Sequence, residues 1–160
     1  MGRKRTSRII TIGGIGAIAV LVAFMIALQV GAARNNEFKK SIDEIAFDTI
    51  ALTQEYKEEE DKWLESPVNY DNSTMTPVFN QYQLRYQQLV DRAEALDTPD
   101  RYKTAKAFLI ESIELEMQSN RHFLNYLITD DQAEYEKAAE FAQKSHGISG
   151  QYDAAMKAAG

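Results

Sequence analysis

The feature that most constrains this chain is a run of 22 residues, 9–30, that contains no Asp, Glu, Lys or Arg. As a helix at 1.5 Å per residue it reaches about 33 Å, enough to cross a hydrocarbon core of roughly 30 Å. Only Thr11 and Gln29 are distinctly polar, and each lies near an end. A helix buried in a soluble domain would keep a polar face, and this one has none. Arg3, Lys4, Arg5 and Arg8 precede it with no acid among them. Positive charge is retained on the cytoplasmic side of a span. The expected order is therefore a basic cytoplasmic segment at 1–8, a transmembrane anchor at 9–30 and an extracytoplasmic body at 34–160.

The competing reading is a secretory signal. Small residues at Val30-Gly31-Ala32 or Gly31-Ala32-Ala33 would suit a signal peptidase, but a signal's apolar region runs about 7–15 residues, and the length here favours a retained anchor. Both readings put the body outside the cytoplasm. Within the apolar run, Ala19, Ala23, Ala27 and Gly31 recur at every fourth position, and Gly13 and Ala17 form a second such pair. Small residues at this spacing let another helix approach closely, which marks a candidate contact with a second copy or another membrane subunit.

All 24 acids and 14 of the 18 bases lie in residues 34–160, giving that part a net charge of −10. Phosphate affinity needs clustered Lys and Arg, so nucleic acid is excluded as a partner. With no cysteine, there is no disulfide scaffold, iron–sulfur site, thiol catalyst or S-acyl anchor. About 125 residues suffice for one core.

The body reads as four helices. In the first, from Asn36 to Glu65, the residues Phe38, Ile42, Ile45, Thr49, Leu52, Tyr56, Glu59 and Trp63 follow a 4-3 spacing broken in character only by Glu59. Pro67 ends it. Thr76-Pro77 supplies a cap and an N1 proline for the second helix, whose seam is Phe79, Tyr82, Tyr86, Leu89, Ala93 and Leu96. Thr98-Pro99 repeats that signal for the third. Its expected stripes are Ala105, Phe108, Ser112, Leu115, Ser119, His122 and Tyr126, beside Leu109, Ile113, Met117, Leu124 and Leu127. Asp131 with Glu134 has capping-box form and opens the fourth helix. Gly147 and Gly150 fall inside that helix and predict a kink near Gly147, or an end to the ordered fold near His146. Short loops between helices of similar length predict an all-α fold: one N-terminal transmembrane helix, then an antiparallel up-down-up-down four-helix bundle.

Chemical motifs are sparse. In an antiparallel hairpin of the last two helices, His146 falls opposite Glu114 and His122 opposite Ala138, which separates the two imidazoles by about 12 Å and keeps them from sharing a metal. No Glu-x-x-His tetrapeptide is present, so a di-iron bundle is not expected. Glu55, Glu58, Glu59, Glu60 and Asp61 make an acidic knot interleaved with Lys57 and Lys62, read as a solvated face. Tyr82 and Tyr86 are read as packing. Asn72-Ser73-Thr74 is a candidate glycosylation acceptor. No catalytic constellation, cofactor or metal site is expected.

The anchor, the helical body and the run Leu96-Asp97-Thr98-Pro99-Asp100-Arg101-Tyr102 before a long amphipathic hairpin resemble small single-pass surface proteins of archaea and bacteria. The resemblance implies a helical bundle outside the membrane and no assigned activity. The expected partners are the lipid bilayer and another membrane or surface protein, or a second copy. The expected role is non-enzymatic binding or scaffolding. A small-ligand or cation-binding module is the alternative.

Overall fold

The computed structural model describes residues 36–66 and 68–160. The expected anchor and its small-residue positions Gly13, Ala17, Ala19, Ala23, Ala27 and Gly31 lie outside the described residues. No described helix is long and apolar enough to cross a membrane.

Four helices pack together, with no strand among the described residues. Helix α1 spans Asn36–Glu65, α2 Asn72–Glu94, α3 Lys103–Thr129 and α4 Gln132–Ala159, with a 3-10 turn at Asp100–Tyr102. Residue pairs show that successive helices run in opposite directions. Arg85 and Arg92 of α2 reach back to Glu55 and Asp48 of α1, both at 2.6 Å. Asn72 and Asn120 link the ends and middles of α2 and α3, and Ser112 and Ser119 of α3 meet Ser145 and Ala138 of α4.

Helix α1 has the expected bounds, and its seam residues Ile42, Ile45, Leu52 and Trp63 are buried. Helix α2 begins one turn earlier than Thr76-Pro77. The Asp71 carboxylate accepts from the Thr74 amide at 2.8 Å and caps the helix there, so Pro77 stands inside it. An Asp at the cap outcompetes the proline signal because it satisfies an otherwise unpaired amide. Thr98-Pro99 begins a 3-10 turn, and the α-helix proper follows from Lys103. Helix α3 closes on Asp130, whose left-handed backbone (φ 57°) turns the chain and whose amide bonds the Tyr126 carbonyl at 2.8 Å. Asp131 caps α4 as expected, accepting from the Ala133 amide at 3.0 Å.

A further expectation fails near the end of the chain. Helix α4 continues through Gly147 and Gly150 to Ala159 without a break, because the small Ala and Ser residues on its inner face let it lie against α3 along its length. The core of α3 lies mostly on the two expected stripes, which hold six of its eight buried residues and miss Asn120 and Phe123. Ala105, Leu109, Ser112, Ile113, Ser119, Asn120, Phe123 and Leu127 are buried, whereas Leu115 is only partly covered. The expected stripe put a leucine at position 115, but α3 packs on α2 through Asn120 and Phe123 instead.

Close approach of α3 and α4 follows from their small residues. Ser112 Oγ lies 3.1 Å from Ser145 Oγ and 2.9 Å from Ser149 Oγ, and Ser119 Oγ donates to the Ala138 carbonyl at 2.9 Å. Helices α1 and α4, in contrast, nowhere bring described Cα atoms within 8 Å of each other. Aromatic side chains fill the space instead. Tyr56, Trp63, Phe79 and Phe123 meet edge to face, with Phe79 and Phe123 centred 4.9 Å apart.

Candidate functional site

Position 116 falls between Ser112 and Asn120 on the buried stripe of α3, and Glu116 is partly covered there. Burial raises its carboxyl to about 7, against a hydrogen bond from Ser145 that opposes the rise and the charge of Glu60 that adds to it. Glu60 stands on α1 with its side chain only 17% exposed, held at 3.0 Å by the Lys57 ammonium, which also binds Asp61 at 2.8 Å.

Tyr56, Tyr86 and Tyr135 lie near enough to these carboxylates to feel their charge. Burial holds Tyr56 and Tyr86 well above the usual phenol range, and the nearby Glu116 charge acts on both in the same direction. Tyr135 of α4 is raised by burial and by Glu60. Tyr86 Oη shares a 3.0 Å hydrogen bond with Thr53 Oγ1. These residues come from all four helices: Tyr56 and Glu60 from α1, Tyr86 from α2, Glu116 from α3 and Tyr135 from α4. The serines beside them bond one another and backbone carbonyls. Among the described residues, no three His, Cys, Asp or Glu side chains converge to hold a metal ion.

The other sequence candidates separate. Of the acidic knot, Glu55 pairs with Arg85, Glu59 with Lys62 at 2.6 Å, and Glu60 turns inward, whereas the spacing had placed Glu59 in the seam. Tyr82 and Tyr86 are buried, with the Arg85 guanidinium 5.3 Å from the Tyr82 ring centre. His122 stacks on Phe141 and its Nδ1 lies 2.7 Å from Glu134, which also binds Asn125 and Lys137. Hydrogen bonds from Lys137, His122 and Asn125 hold the Glu134 carboxyl down at about 2. Glu134 therefore serves this cluster rather than reaching back as a capping box would. His146 and Glu114 are exposed and form no ion pair with each other. Asn72 lies in the first turn of α2. Its Oδ1 accepts from Trp63 Nε1 and its Nδ2, the atom a glycan would be attached to, donates to the Leu127 carbonyl, both at 2.9 Å.

Sequence reasoning missed Glu116 and the inward turn of Glu60. The available signal was the 4-3-4-3-4 path Ala105, Leu109, Ser112, Glu116, Ser119 and Phe123, in which one acid interrupts otherwise small or apolar residues. No protein-family model, curated protein or solved structure matches this chain.

Proposed function

We propose that this chain is a membrane-tethered helical bundle that binds or scaffolds another membrane or surface protein, or a second copy of itself, as an accessory subunit without chemistry of its own. The observation that carries this reading is the charge-free run at 9–30, preceded by four bases and followed within a few residues by the start of α1 at Asn36. It orients residues 1–8 to the cytoplasm and the bundle to the outside, and it offers the stripe of Ala19, Ala23, Ala27 and Gly31 to a neighbouring span. Purification of the full chain in a mild detergent tests the role. Co-elution with a second membrane protein, or a stable oligomer, is expected. A monomer that elutes alone contradicts it.

A second reading, a small-ligand or cation-binding module outside the membrane, is favoured by the partly covered Glu60 and Glu116 carboxylates on the first and third helices. Thermal melts with calcium, zinc and copper decide it, and an unchanged melting temperature removes the cation form of this reading. Should the apolar run be cleaved as a signal, the mass of the mature chain would fall by about 30 residues and the bundle would be secreted.

A further inference from the structure

The end of the bundle farthest from Asn36 is built differently from the rest of its surface. The α1–α2 connection and the α3–α4 turn meet there, joined by the Asn72 bridge from Trp63 to the Leu127 carbonyl. Beside this bridge three large apolar side chains face solvent: Val68 is 90% exposed, Ile128 70% and Tyr70 36%. Val68 and Tyr70 are not on a loose loop. The Asn69 and Tyr70 amides both donate to the Ser66 carbonyl at 3.0 Å, and Asp71 caps the helix that follows. A patch already held in place loses little freedom when a partner covers it.

The charge around the patch is mainly acidic. Residues 61–75 and 124–134 carry six acids and one base, Lys62, which Glu59 engages at 2.6 Å; of the acids, Asp61 is held by Lys57 and Glu134 by Lys137. Glu65, Asp71, Asp130 and Asp131 are exposed beside the apolar side chains. A second copy would set acid against acid, and an anionic lipid surface would be repelled in the same way. We infer that this acidic, apolar-centred tip is a docking surface for a protein segment that presents apolar side chains between Lys and Arg residues. The inference names the surface for the binding role proposed above and does not depend on the anchor.

Site-specific photo-cross-linking of the full chain in cells that natively produce it tests the tip. A benzophenone amino acid replaces Val68 or Ile128 in separate variants, and Leu84, which is 65% exposed on the middle of α2, serves as the control. All three positions are exposed, so the fold tolerates the probe. Adducts at 68 and 128, several-fold above those at 84, are expected, and peptide mapping should place them on a partner segment with surplus Lys and Arg. Glu65→Lys should reduce the adduct several-fold. Adducts to a second copy, to lipid, to residues 1–35 or to an acidic segment would overturn the inference. So would yields at 68 and 128 no higher than at 84, or yields indifferent to Glu65→Lys. Membrane fractionation of the same cells reports the anchor separately, so that loss of one reading leaves the other measurable.

Discussion

Glu116 is the residue on which the interior chemistry turns. Its carboxyl titrates at about 7 when folded, against 4.5 as the ordinary value. The folded state therefore binds more protons than the unfolded chain between these limits, and stability falls as pH rises through them. Below about 4.5 the contribution is fully present, and above about 7 it is lost. Glu116→Gln keeps the shape and removes the charge. Urea midpoints should show the variant more stable than the parent at pH 8, by up to about 3 kcal/mol, with the gap closing at pH 4.5. A variant less stable at pH 8 would refute the assignment. Asn72 is the second telling residue, because it ties three helices with one amide. Asn72→Ala removes the bonds to Trp63 and Leu127 and should cost roughly 1–3 kcal/mol in the same measurement; a loss below 0.5 kcal/mol would show the bridge to be incidental. The Asn72 bridge was not legible in the sequence, where the triplet at 72–74 reads as a glycan acceptor; the signal for Glu116, one acid on an otherwise small or apolar path, was present and was missed.

At the scale of helices, existence and extent were legible where local rules agree with packing. The 4-3 spacing of α1 and the Asp131 cap of α4 are of this kind. They failed where two local signals competed, as with Asp71 against Thr76-Pro77, or where a local penalty was outweighed by contact with a neighbour. Gly147 and Gly150 are the second case. Each is exposed, and a methyl group added at either would meet no atom within 4 Å. Because α4 is continuous there, Gly147→Ala and Gly150→Ala should each raise stability by about 0.5–1 kcal/mol, and the pair should be additive. Thermal or urea unfolding checks this, and a decrease on either substitution would mean that the helix bends at these positions. On the third helix the expected stripes included Ser112 and Ser119, whose hydroxyls define where α3 lies against α4, and missed only Asn120 and Phe123 among the buried residues.

For the whole molecule, a four-helix bundle with aromatic packing on one side and serine-mediated close contact on the other holds, among the described residues, a group of partly covered carboxylates and tyrosines between its helices and an acidic apolar tip at one end. The proposed anchor attaches at the other end, so the tip would stand farthest from the bilayer. This geometry gives the tethered binding role a physical form, and the orientation of the chain is its central claim. The absence of cysteine makes the decisive measurement clean. Single substitutions Ser7→Cys and Gln88→Cys, the latter on the exposed face of α2, are reacted with a membrane-impermeant maleimide in intact cells. The account predicts labelling at position 88 at once and at position 7 only after the membrane is opened. Labelling at 7 with protection at 88, or protection of both until lysis, would contradict it.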